Sequence, residues 1–332
     1  MATSGKRVLV MAPAGPFHAE RCAAGMAWLE GQGFRVRFSR PGGGRPVRYL
    51  GGTDEERLAD LHAGLGVGST EDEGCDIAWY ARGGYGTARL LTDLTSPTTS
   101  EQRIIVGFSD ATVLLNALAR ERATRGHGAI AVHGPVVQTL AAPELHGSAP
   151  GVVCIDEDSR NTLLRLLVDG SATDFAVTHL CGPTRSVQAP VLGGNLTLLA
   201  SACGTPWQVD ARGHILLIEE VGEAPYRIDR MVRQLQQAGS LAGVVGVVLG
   251  EFIACEPAAP SWTLRDVLID VLEPLGVPVW HGAPVGHGAR NGAWIVGADA
   301  TLGEGWLAWG GGSRDAGAGR DAGACARLPG GR

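Results

Sequence analysis

The chain has 332 residues, 45% hydrophobic and 19% charged, with a formal net charge of −6 at pH 7. That length predicts two compact domains rather than one. Both signs of charge are interspersed and no block of Lys or Arg occurs, which excludes the electrostatic footprint of a nucleic-acid or anionic-lipid binder.

The first apolar run, within Arg7–Ala12, breaks at Pro13 and is too short for a signal-peptide core, so it reads as a buried strand. Residues 19–32 read as a helix closed by Gly33, and 34–38 as the next strand. Residues 53–65 open on Thr-Asp-Glu-Glu, an N-cap followed by acids at the positive end of the helix dipole. Further strands are predicted at 76–80, 103–108 and 130–133, with a helix over 111–122. This β-α alternation predicts an α/β domain over 1–145 with a mostly parallel, helix-covered sheet. From 146 to 188 the pattern weakens apart from a possible helix at 158–168, and the segment reads as an inter-domain linker. A second domain is expected over 189–308, with strands at 214–219 and 244–252 and helices at 226–238 and 264–275. In the first helix, Ile228, Met231, Val232 and Leu235 make a core-facing stripe. Arg227 and Arg230 oppose the dipole at its first turn, which predicts carboxylate partners for both. Residues 309–332 have almost no large apolar side chains and are expected to be disordered.

The seven cysteines are odd in number, widely spread and lack a C-x-x-C pair, so neither a disulfide framework nor a zinc site is expected. No apolar run approaches the ~18–20 residues of a membrane span. A soluble, cytoplasmic protein without metal or cofactor is the expectation.

Two loops stand out chemically. Arg103-Ile-Ile-Val-Gly-Phe-Ser109-Asp110 runs a strand into a helix and puts a serine hydroxyl on the turn, beside the backbone N–H groups of the helix start. Such a turn can expose a nucleophile or merely cap a helix. Ala81-Arg82-Gly83-Gly84-Tyr85-Gly86 follows the preceding strand and permits close backbone approach to a ligand, although it matches neither G-x-G-x-x-G nor a P-loop. Both loops belong to the carboxyl edge of one sheet, where ligands of open α/β sheets collect. A serine nucleophile needs a base and an orienting carboxylate. His287, between Gly286 and Gly288, competes for the base role with His127, His133 and His281. Glu219, Glu220 and Glu223 cluster at one strand end, and strand parity does not say which faces a cleft.

Together and in this order, Gly52-Thr-Asp-Glu-Glu-Arg57, Ala81-Arg-Gly-Gly-Tyr-Gly86, Gly107-Phe-Ser-Asp110, His133-Gly-Pro135, Gly193-Gly-Asn-Leu196, Ile218-Glu-Glu220 with Pro225-Tyr-Arg-Ile-Asp-Arg230, and Gly286-His-Gly288 resemble the LD-carboxypeptidase family of serine peptidases. That group includes muramoyltetrapeptide carboxypeptidases and microcin C immunity peptidases. The resemblance implies a flavodoxin- or Rossmann-like N-terminal domain, a smaller β-rich C-terminal domain, and usually a homodimer. It implies Ser109 as nucleophile, His287 as base and Glu219 as carboxylate, with an oxyanion hole from the backbone N–H groups of Asp110 and Gly84. Arg82, with Gly83 and Tyr85, would contact the substrate, and Arg82 would hold its terminal carboxylate. The expected substrate is a muropeptide tetrapeptide that loses terminal D-Ala at an L-D bond. A peptidyl-nucleotide antibiotic is the alternative within the family, and a non-catalytic nucleotide-binding module the alternative outside it. The immunity branch stacks a nucleobase on tryptophans of the inter-domain loop, yet none of the eight tryptophans here lies within 146–188. The stretch Gly68–Gly74 is expected to bulge from the surface.

Overall fold

The computed structural model describes residues 5–40, 45–67, 74–95, 102–140, 154–258 and 261–310. The expectations for residues 68–73, 146–153 and 311–332 therefore lie outside the described residues. The chain divides into two units, residues 1–156 and 157–332.

The first unit alternates β1 (Arg7–Met11), α1 (Ala19–Gly31), β2 (Arg35–Phe38), α2 (Asp54–Leu65), β3 (Ile77–Tyr80), β4 (Ile104–Gly107), α3 (Thr112–Arg125) and β5 (Ile130–His133). These strands are all parallel and run β2-β1-β3-β4-β5 across the sheet. Strands β3, β4 and β5 are buried along their whole length, as a sheet covered on both faces requires. Thr53 caps α2 through a reciprocal box with Glu56, at 3.2 and 2.8 Å. The strand order is that of flavodoxin-like folds. In that order the sequence of strands reverses between β1 and β3, the place at the carboxyl edge where ligands of such sheets collect. Gly15 N–H donates to the Gly83 carbonyl at 3.1 Å and ties those two loops together.

The second unit contains α4 (Glu157–Leu164), β6 (Phe175–Ala176), β7 (Thr178–Cys181), β8 (Val187–Asn195), α5 (Leu196–Ser201), β9 (Ile215–Val221), α6 (Pro225–Gln237), β10 (Gly246–Ile253), α7 (Leu264–Leu272), β11 (Val279–His281), β12 (Trp294–Ile295), β13 (Asp299–Gly303) and β14 (Trp306–Trp309). A mixed eight-stranded sheet runs β6-β14-β13-β8-β9-β10-β11-β7. Its centre, β8 to β11, is parallel, and both flanks are antiparallel. Residues 157–188 are thus not a bare linker. They supply α4, a π-helical turn at Arg165–Asp169, and edge strands at both ends of this sheet. The helical part coincides with the possible helix at 158–168, whereas the edge strands, two and four residues long, are too short to carry a period and read as loop in the sequence.

All four residues of the α6 stripe are buried. Of the two cations at its start, Arg227 pairs with Glu223 at 3.1 Å. Among the described residues Arg230 instead stands over the Tyr226 ring at 5.9 Å, a cation–π contact, and pairs with no carboxylate. Among the described residues, Cys22, Cys75, Cys181, Cys203 and Cys255 carry free thiols.

Candidate active site

In the first unit, β4 delivers Ser109 at its carboxyl end. Phe108 is extended, Ser109 turns to φ +58°, and a 3-10 turn at Ser109–Ala111 feeds α3. A non-glycine residue held left-handed costs on the order of 1–3 kcal/mol and persists only where its surroundings over-determine it. Gly107 makes the turn possible, because a Cβ there would come within 2.5 Å of the Ala111 Cβ. Ser109 is half-buried, whereas Asp110 is fully enclosed.

The loop after β3 presses against this turn. A Cβ on Gly83 would lie 3.1 Å from the Ser109 Cβ and 3.5 Å from its Oγ. The next residue, Gly84, has φ +108° and is exposed. Neither the Gly84 nor the Asp110 backbone N–H donates to a protein acceptor among the described residues. The Asp110 carboxylate accepts from the backbone N–H groups of Gly86 (3.1 Å) and Thr87 (2.8 Å). Burial pushes its carboxyl up, opposed by those hydrogen bonds and by the charge of Arg57. Arg82 donates through Nη1 to the Pro16 carbonyl at 2.6 Å, and exposed Tyr85 meets the Tyr49 ring edge-on at 5.7 Å.

In the second unit, β9 ends in two buried carboxylates with different partners. Glu219 Oε2 lies 2.7 Å from His287 Nδ1. Glu219 is fully enclosed, and burial raises its carboxyl above the usual range, with the His287 hydrogen bond opposing. An ionised Glu219 accepts the Nδ1–H and leaves the acceptor lone pair on Nε2, the tautomer a general base needs. Glu220 turns the other way. Its Oε1 accepts from Asn195 Nδ2 (3.1 Å) and the Val221 N–H (2.8 Å), and its Oε2 from the Thr197 N–H (2.8 Å) and hydroxyl (2.7 Å). Glu220 therefore fastens the start of α5 to β9.

The glycines around His287 answer to the end of β10. The Glu251 N–H donates to the Val285 carbonyl at 2.7 Å. A Cβ on Gly286 would approach the Glu251 Cβ at 2.7 Å, and one on Gly288 would strike Glu251 Oε2. Only glycine lets this loop lie so close and present the imidazole.

The competing residues are placed elsewhere. His133 is buried at the end of β5, edge-on to Phe108 at 5.2 Å. His127 is exposed after α3, and His281 sits 3.3 Å from Arg265 Nη1. Glu223 is engaged with Arg227. Sequence reasoning gave Asp110 a role through its backbone alone and missed both its carboxylate and the buried Arg57. Only partners 23 to 44 positions away identify them.

The first unit thus carries a left-handed serine at a strand-to-helix turn, and the second unit a buried Glu–His pair. The profile of the LD-carboxypeptidase N-terminal domain matches residues 8–128, and that of the LD-carboxypeptidase C-terminal domain matches 188–302. The murein tetrapeptide carboxypeptidase of Pseudomonas aeruginosa is 35% identical over 306 residues, covering 91% of this chain and 95% of its own. The crystal structure of muramoyltetrapeptide carboxypeptidase from Oxalobacter formigenes superposes with a TM-score of 0.72 at 27% identity, covering 91% of this chain and 97% of that one. The microcin C7 self-immunity protein MccF shares the fold, with a TM-score of 0.73 at 21% identity over 92% of this chain and 96% of its own. On both of its domains, the chain belongs to the LD-carboxypeptidase family of peptidases.

Proposed function

We propose that the protein is a serine-type LD-carboxypeptidase that releases terminal D-Ala from muropeptide tetrapeptides in the cytoplasm, acting as a homodimer in the recycling of wall fragments. Ser109 attacks the carbonyl carbon of the L-centre before the terminal D-residue while His287 Nε2 takes the hydroxyl proton. Glu219 holds the imidazole in its tautomer and stabilises the cation. The negative charge on the tetrahedral oxygen is met by the N–H groups of Asp110 and Gly84. Collapse breaks the C–N bond, His287 returns the proton to the departing amine, and water then hydrolyses the acyl-serine. The meeting of Ser109 with His287 is part of the proposal.

The observation that carries this reading is the left-handed Ser109 on the turn between β4 and α3, with Gly83 packed against its side chain. The relative from Pseudomonas supports the substrate class by its name. Among the described residues no helix is long and apolar enough to cross a membrane.

The test has two arms. A fluorophosphonate should label the wild type at Ser109 and leave Ser109→Ala unlabelled. Then kcat/KM is compared on the free tetrapeptide, its all-L counterpart and a peptidyl-adenylate. Preference for the D-terminated tetrapeptide is expected. Preference for the adenylate moves the protein to an immunity function, and equal rates on L and D termini end the LD assignment.

A further inference from the structure

The Asp110 carboxylate is built into the interior although its side chain takes no part in the chemistry proposed above. It is 0% exposed, and both oxygens are aimed at the glycine loop: Oδ1 at the Gly86 N–H and Oδ2 at the Thr87 N–H. The carbonyl of the same Gly86 is held from the other side by Arg57 Nη1 at 2.9 Å. Arg57 is also fully enclosed. It donates to the Pro13 carbonyl in the loop after β1, and its Nη2 pairs with Asp54 Oδ1 at 2.6 Å. Asp54 is in turn bound by Arg89 just beyond the loop. Gly86 sits at φ +135°, and a Cβ there would approach Arg57 Nη1 at 2.5 Å and Leu50 Cδ2 at 2.8 Å. The residue is thus gripped at its N–H, its C=O and its Cα.

We propose that Asp110 and Arg57 are positioning residues that clamp Gly86 and so fix the Gly83–Gly84 peptide against Ser109. This rests on the reading of Ser109 as nucleophile and Gly84 as an oxyanion donor. Two further ties leave the loop one geometry: Gly83 C=O accepts from Gly15 N–H at 3.1 Å, and Tyr80 Oη meets Thr87 Oγ1 at 3.3 Å. Since Asp110 adjoins the nucleophile in the chain, one residue joins the oxyanion loop to the attacking hydroxyl. A single ionised carboxylate can accept both N–H groups. An asparagine of the same shape accepts one and turns an N–H against the other donor.

The experiment compares Asp110→Asn and Arg57→Lys with the wild type, each normalised by fluorophosphonate titration of reactive serine. Three quantities are read: kcat, KM, and the affinity of a peptidyl boronate that forms a tetrahedral serine adduct. Substrate affinity is measured in parallel on Ser109→Ala and on Ser109→Ala combined with each change. Misplacing an oxyanion donor predicts a fall in kcat of about 100-fold or more, with KM held within about three-fold. Boronate affinity should fall in step with kcat while binding to the Ser109→Ala forms stays constant. Arg57→Lys keeps a donor and the charge, so it should lose less than Asp110→Asn, and it carries the test if Asp110→Asn does not fold. Folded, titratable variants with wild-type kcat and boronate affinity overturn the clamp, whatever their melting temperatures. Equal losses in KM and in ground-state binding overturn it too, because they place the network in substrate binding. If Ser109→Ala itself still turns over, the proposed function falls, a result separate from wild-type rates in the clamp variants.

Discussion

The two carboxylates ending β9 have separable duties, and exchanging each for glutamine reads them apart. Glu220 accepts four hydrogen bonds, from Asn195, Val221 and both groups of Thr197. In Glu220→Gln the amide oxygen keeps two donors. The NH2 then faces the Thr197 hydroxyl, which can turn to accept it, and the Thr197 N–H, which cannot. One part-buried backbone donor is left unpaired, at a loss of about 2 kcal/mol. For a unit of this size that lowers Tm by about 4–8 °C, and kcat should stay within a few-fold. Glu219→Gln behaves in the opposite way. Removing the charge behind His287 Nδ1 should lower kcat on the order of 1,000- to 10,000-fold, with little loss of Tm. Its pH signature follows from burial. The Glu219 carboxyl is raised above the ordinary carboxylate range, so the native state holds that proton more tightly than the unfolded chain does. Stability from this group is fully present below the unfolded value and declines as pH rises through the raised one. Relative to the wild type, Glu219→Gln should therefore gain in Tm between pH 4.5, the ordinary glutamate value, and the raised one. Calorimetry across that range and single-turnover hydrolysis of the tetrapeptide measure both variants. A fully active Glu219→Gln beside an inactive, thermally intact Glu220→Gln would refute the assignment.

Ser109→Gly should abolish turnover and raise stability by about 1 kcal/mol in urea unfolding, because glycine adopts the left-handed φ of +58° without strain. No gain in stability would mean that the turn is unstrained. Gly83→Ala should leave the protein folded but cut kcat and serine labelling at least 10-fold, since the new methyl lies 3.1 Å from the Ser109 Cβ and 3.2 Å from the Phe108 carbonyl. Full labelling would show that the loop yields freely. Thr53→Ala removes the capping box of α2 and should cost about 1 kcal/mol of stability, read by denaturant titration, with kcat unchanged.

Sequence by itself determined the parts of this protein that depend on local spacing. The β-α alternation of the first 140 residues, the Thr53 cap and the buried stripe of α6 all follow from periodicity and turn chemistry within a dozen positions. The order of the motifs carried the family. Elements without a period had to await the fold. β6 and β12 are two residues long, and β8 is interrupted by Pro190, Gly193 and Gly194, so none shows the alternation of a half-buried strand. Gly193 is tolerated because β8 and β9 approach so closely there that a Cβ would strike the Leu217 carbonyl.

The choice between Glu219 and Glu220 shows why parity fails. β9 lies between β8 and β10, and every residue from Ile215 to Glu220 is buried, so the period-two signal of one wet face is missing. What separates them is register and distance. Glu219 stands beside Asn195 in the ladder and reaches a histidine 68 positions later, while Glu220 turns back to α5. Asp110 and Arg57 follow the same rule. Their residue types were plain in the sequence, but a buried charge has a role only through the group that solvates it, and tertiary structure alone brings that group from a distant part of the chain.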